Sequence, residues 1–332
     1  MKMYRMAMLS LIGAVLAAGA IAQTPAADLP DWLFPIDPDS LHRQRMRNPP
    51  PLPPLDDTEP LQIPGSTEKL TAARIGDVNN APDWFPSEHG PMPELVAKGR
   101  TKPPMIACAF CHTPTGQGRP ENSALAGLTE NYIREQLRDF RSGARQPIGP
   151  PEYLPSRGMH AVAEAMTDAD IDETAKYFAQ QKLARRVWVI ESFRIPRAEP
   201  SDWVYMEVPG TEDLGDRMLE VTNEIERHQH RDPKLQYTAY VPPGAIGRGK
   251  RLVTKGDGKT QVCATCHGAN LKGMNDIPPI AGRSPTYLLR QLLAFKTGSR
   301  ANEAGKQMLP TVEKLEVNDM IDVVAYVSSL YP

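Results

Sequence analysis

Cys108-Ala109-Phe110-Cys111-His112 and Cys263-Ala264-Thr265-Cys266-His267 are one five-residue pattern written twice, and together they use all four cysteines of the 332-residue chain. Two cysteines three apart with a histidine directly after suit one chemistry above others. The thiols form thioethers with the vinyl groups of a porphyrin, and the same turn of chain brings the imidazole under the ring to the iron. The pattern therefore calls for two covalently bound haem c groups, attached through Cys108, Cys111, Cys263 and Cys266, with His112 and His267 on the metals. Paired Cys-x-x-Cys zinc sites usually keep about 15–20 residues between the pairs, whereas Cys111 and Cys263 stand far apart. No thiol is left over for a disulfide, a nucleophile or a thiolate ligand.

The duplication extends well past the pentapeptides. Carried forward at their offset of 155 residues, Ala126-Gly127 falls on Ala281-Gly282, Tyr132 on Tyr287, and Gln136-Leu137 on Gln291-Leu292. Phe140 likewise falls on Phe295, Gly143 on Gly298 and Arg145 on Arg300. Each copy predicts a helix after the Ala-Gly pair, with Thr129 and Ser284 as N-caps, an apolar stripe at helical spacing, and Gly143 or Gly298 at the C-terminal end. Each closes with a further helix, one starting at Thr167 with Asp170 as an acidic capping box, the other at Asn318. A helix is also expected ahead of each motif. It is clear over residues 246–253, but in the first copy the segment from Leu95 to Arg100 is short and is stopped by Pro103-Pro104.

Methionine thioether is the usual partner of histidine on a six-coordinate cytochrome iron. Aligning Tyr177 with Tyr326 shortens the offset to 149, which superposes Met159 on Met308, Met166 on Leu315 and Ile171 on Met320. Met159 and Met308 recur at a loop position and are the expected axial ligands; Met166 and Met320 exchange with aliphatics and read as core, and His160 is the rival at the first site. Each proximal histidine needs an outer acceptor for its second ring nitrogen. The carbonyl of Pro278 or Pro279 suits the second copy, whereas Ser123-Ala124 occupies the first, so a different outer shell is expected there.

Around these copies the composition changes. Lys2 and Arg5, the apolar run 6–18 and Ala20-Ile21-Ala22 read as a secretory signal (1–22) cleaved after Ala22, which predicts a periplasmic protein and leaves no later segment able to span a membrane. The mature chain would carry a formal charge of −4, with no clustered basic domain of the kind nucleic-acid binding needs. Residues 23–85 hold many of the 34 prolines, against an average usage of about 5%, and predict an extended arm pegged by Trp32, Phe34, Trp84 and Phe85. His89 is expected at the surface. Residues 184–240 read as an irregular, partly β insert between a first domain (86–183) and a second (241–332), with His228 and His230 in a solvated charged run.

The ordered motifs, from Cys-x-x-Cys-His through Ala-Gly, Tyr-x-x-x-Gln-Leu and Phe-(Arg/Lys)-x-Gly-x-Arg to the loop methionine and a final Ala-x-Tyr helix, resemble the dihaem class I cytochromes c of the cytochrome c4 type, over about 95–182 and 241–332. The resemblance implies an all-α fold of two tandem class I cytochrome c domains. It also implies an electron carrier, not an enzyme, that works between redox protein partners: a donor dehydrogenase and an acceptor oxidase or another cytochrome. The alternatives are a dihaem peroxidase, a thiosulfate dehydrogenase-like enzyme, which would want a cysteine ligand this chain lacks, or the cytochrome subunit of a periplasmic dehydrogenase complex.

Overall fold

The computed structural model describes residues 29–38 and 59–332, so the signal sequence and the Pro49–Pro54 run lie outside the described residues. In the first copy a short helix, α1 (Glu94–Lys98), ends at Gly99 and leads into a two-residue hairpin before the first motif. Then come α2 (Glu130–Ser142), α3 (Pro155–Ala165) and α4 (Asp168–Ala179). The second copy has α5 (Ala245–Lys255), α6 (Pro285–Lys296) and α7 (Val317–Ser329), with two single-turn helices between α6 and α7. The caps follow the sequence: Thr129 and Ser284 accept from the backbone N–H three residues on, and Thr167 and Asp170 close a reciprocal capping box. The last helix departs from expectation, since Glu316 rather than Asn318 caps it, boxed with Asp319.

In the second copy α5 and α7 cross closely. A Cβ at Gly249 would collide with the Asp322 carbonyl oxygen, so only glycine lets the two backbones meet. Arg248 secures the crossing with a bidentate pair to Asp322, 2.7 Å on both oxygens.

The all-α expectation is wrong for the chain as a whole. The segment between the copies is a five-stranded mixed sheet of β1 (Val187–Glu191), β2 (Arg194–Ser201), β3 (Val204–Asp213), β4 (Leu219–Thr222) and β5 (Tyr237–Val241), in the order β1-β5-β4-β3-β2. β1–β5 and β3–β4 pair in parallel, β2–β3 and β4–β5 antiparallel. What reads in sequence as an irregular, partly β insert has its own small core of Ile195, Leu214, Leu219 and Val221. A sheet also pairs backbone groups that an unstructured connector would leave for water to satisfy.

This insert is wedged against both copies. Its buried Glu220 accepts from Ser284 Oγ at 2.6 Å and from the Thr286 N–H at 3.2 Å, placing a carboxylate at the N-terminus of α6 where the helix dipole favours it. Met218 and Val241 belong to the same apolar cluster as the second copy's core. Leu33 and Phe34 of the arm join that cluster, while Trp84 and Phe85 form another with Ile63 and Ile75. The Phe34 ring fills the space above Gly149, whose φ of +101° and missing side chain make the seat.

Candidate haem sites

The first motif forms a single helical turn, Cys108–His112, so that both thiols and the imidazole face one side. They line a cavity of about 510 Å³, within the range of cofactor pockets. Its walls are mainly apolar: Leu128, Ile133, Leu137, Phe140, Val162 and Phe178 among others. His112 is 7% exposed, and its Nδ1 meets the Ser123 carbonyl at 2.8 Å. Burial holds this imidazole below its ordinary pKa, partly offset by that carbonyl, so the ring is neutral and the other nitrogen is the one available to a metal. Burial pushes the Cys108 thiol up to about 12, which keeps it a protonated thiol.

The second motif repeats the device. His267 Nδ1 meets the Pro278 carbonyl at 2.8 Å, and His267 is 9% exposed. Ser123 and Pro278 are each eleven residues after their histidine, so the expected difference in outer shell is absent: the acceptor is a backbone carbonyl, and side-chain identity does not enter.

Met159 lines the first cavity from α3, on a helix rather than the loop expected, and packs, as Cys108 and Cys111 do, against the first copy's apolar core. His160 does not line it; its ring stands edge-on to Phe140 at 5.3 Å. Met166 is 5% exposed and also reaches the cavity wall. Met308 caps a single-turn helix, Leu309–Val312, and packs with Cys263 against the main core, where Met320 is fully buried.

Between the sites the copies exchange partners. Arg145 donates to Gln136 of its own copy (2.8 Å) and to Tyr287 Oη (3.2 Å) and Gln291 (2.8 Å) of the other. Arg300 mirrors it, donating to Gln291 (3.1 Å), Tyr132 Oη (2.7 Å) and Gln136 (2.6 Å). Burial raises the Tyr287 phenol, but Arg145 and Arg300 outweigh it and bring it down to about 8. Spacing had marked the two arginines as equivalent, not as crossed.

The insert also enters the first site, which sequence reasoning missed. Asp202, Trp203 and Arg231 line the cavity. Arg231 donates to the Phe110 carbonyl at 2.9 Å and lies 3.4 Å over its ring. Behind it Arg119 pairs with Glu121 at 2.6 Å, while His228 bonds Tyr237 Oη at 2.9 Å. Burial pushes Glu121 up to about 7 against the pull of Arg119. His228 is fully buried, not solvated, and His89, expected at the surface, is inside too, between Asp83 (3.1 Å) and Tyr177 Oη (3.2 Å). The signal is the segment's own composition: arginines and histidines amid Tyr237, Trp203 and Val204 are suited to a polar network under cover.

Two free thiols, a neutral imidazole oriented by a carbonyl and a thioether around one apolar cavity fit a covalently held haem. The sequence matches the family model for cytochrome c twice, over residues 96–182 and 246–331, together more than half of the chain. The chain belongs to the cytochrome c family and carries its domain in duplicate. It is similar to cytochrome c4 of Azotobacter vinelandii, 24% identical over 230 residues, covering 68% of this chain and 84% of that one. It is also similar to a thiosulfate dehydrogenase electron acceptor of Stutzerimonas stutzeri (strain A1501), 26% identical over 238 residues, 70% of this chain and 82% of that one. A solved cytochrome c4 structure from Acidithiobacillus ferrooxidans is 24% identical with a TM-score of 0.45, covering 67% of this chain and 98% of its own.

Proposed function

We propose that this protein is a periplasmic one-electron carrier with two haem c groups, held by His112 and Met159 in the first unit and by His267 and Met308 in the second. The observation that carries the reading is the repeated site: the same Cys-x-x-Cys-His pattern, with the backbone carbonyl eleven residues on lying 2.8 Å from Nδ1 of the histidine, in both copies. Bound haem c supplies one-electron exchange at iron. The chain's own part would be to hold each imidazole neutral and oriented, to offer the soft thioether of Met159 or Met308, and in the first unit to keep water out with an apolar wall. A site closed by two protein ligands leaves no position for substrate, which favours carriage over catalysis. The buried contacts that cross between Arg145 and Arg300 fix the two sites in one body, as a relay requires.

The similarity to a thiosulfate dehydrogenase electron acceptor supports a second, narrower reading, in which the donor is a periplasmic dehydrogenase that hands its electrons to this chain. Among the described residues no helix is long and apolar enough to cross a membrane.

Haem loading is tested by the mass of the secreted chain and its Soret absorption, and ligation by Met159→Ala and Met308→Ala made separately. Each change should abolish one of two methionine-to-iron charge-transfer signals in the ferric protein. A variant that keeps both signals would reassign that ligand, with Met166 next in line at the first site.

A further inference from the structure

The two motifs differ in access. In the first, Ala109 and Phe110 are 1% and 8% exposed, lidded by Arg231 of the insert. In the second, the equivalent Ala264 and Thr265 are exposed. Apolar side chains stand out around this second motif, Val262 at 37% and Leu309 at 46% exposure. Thr260 Oγ1 donates to the Thr311 carbonyl at 2.7 Å, so the loop before the motif and the turn that starts at Leu309 form one surface.

Charge is equally lopsided. Residues 241–332 hold 12 Lys and Arg against 7 Asp and Glu, while the rest of the chain holds 26 against 33. Several of the 12 are spent: Arg248 on Asp322, Lys259 on Asp319, and Arg283, Arg290 and Arg300 on buried carbonyls and side chains. Lys255 and Lys314 are exposed and make no ion pair among the described residues. Lys255 ends the helix whose Val253 carbonyl receives the Cys263 N–H at 3.0 Å, and Lys314 lies three residues after Thr311. Both therefore flank the exposed motif.

We infer that the second unit is the port of the molecule: a small apolar face at Val262, Ala264, Thr265 and Leu309, flanked by unpaired lysines, onto which an acidic one-electron protein docks, while the insert closes the corresponding face of the first unit. An apolar centre with a charged margin is the usual anatomy of such an interface, and the charges act mainly on the rate of encounter. The inference rests on the carrier reading and adds to it a direction of traffic.

The test uses the full, haem-loaded protein, chemically reduced and mixed in a stopped-flow instrument with hexacyanoferrate(III), an anionic oxidant that takes one electron per ion. The double variant Lys255→Glu/Lys314→Glu should be oxidised about three- to tenfold more slowly at low salt, a difference that fades above roughly 0.5 M salt as screening shortens the reach of charge. Arg157→Glu makes the same kind of reversal on the rim of the first cavity, between Ser156 and Gly158, and should change the rate less than about twofold. An unaltered rate in the lysine variant, or an equal slowing by Arg157→Glu, overturns the port. A protein without a reducible Soret band before mixing would instead remove the carrier reading beneath it.

Discussion

Trp203 is held in a poor backbone conformation by what its side chain touches. With Asp202 it forms the two-residue turn between β2 and β3, Ser201 pairing with Val204, and both residues have positive φ, 45° and 69°. Asn-Gly is the favoured sequence for such a turn, and each non-glycine residue there costs about 1 kcal/mol or more. Its ring packs edge-on to Tyr153 at 5.7 Å on the wall of the first cavity. Trp203→Gly would regain roughly 1 kcal/mol of strain but lose a packed indole, about 3 kcal/mol. A net loss of about 2 kcal/mol is expected in urea unfolding, and a variant more stable than the parent would show that the indole contributes little.

His89 gives a pH signature. Its Nε2 lies 3.1 Å from an Asp83 carboxylate oxygen and its Nδ1 2.7 Å from the Gly90 carbonyl, acceptors that suit an imidazolium, and the Asp83 hydrogen bond raises its pKa. A raised folded-state value means that the stabilisation is full below the unfolded pKa of about 6.5 and is lost as pH climbs through the folded one. Thermal midpoints should therefore fall in the parent as pH climbs above about 6.5, and His89→Gln should flatten that slope. An unchanged slope would place the titrating group elsewhere.

At the scale of elements, the crossing of α5 and α7 depends on one missing methyl group. Gly249→Ala must push α5 away from the Asp322 carbonyl, and overpacking of this kind costs about 3 kcal/mol; a chemical denaturation midpoint equal to the parent's would mean that the helices slide apart freely. The first copy has no counterpart, since α1 is a five-residue helix. What was legible in sequence is what is local. Thr129, Ser284 and Thr167 announce their helices by side chains that reach only three residues. The insert's β character was legible but the pairing of its strands was not, because Val187 pairs with Tyr237 fifty residues away, and no short-range pattern records that partnership. The cysteines and histidines of the candidate sites were readable from spacing alone. Arg231 and Asp202 were not, because their place in the first cavity exists only once the insert has folded back.

On the scale of the molecule, the crossed cluster makes two units into one. Arg145 and Arg300 are both buried, at 9% and 7% exposure, and each depends on acceptors from the opposite copy. Arg145→Ala or Arg300→Ala alone removes one of two guanidinium donors from each buried amide oxygen and should cost about 1–2 kcal/mol. The double variant should cost more than the sum, because Gln136 and Gln291 each accept from both arginines and only the double variant leaves their buried oxygens without a guanidinium donor. Strict additivity in calorimetric or urea measurements would mean that the cluster is two independent halves. Expressed apart from its twin, either half would carry a guanidinium into its interior with some of its acceptors missing. The repeat that began as a copy is thus a mutual obligation, and neither descendant can be inherited without the other.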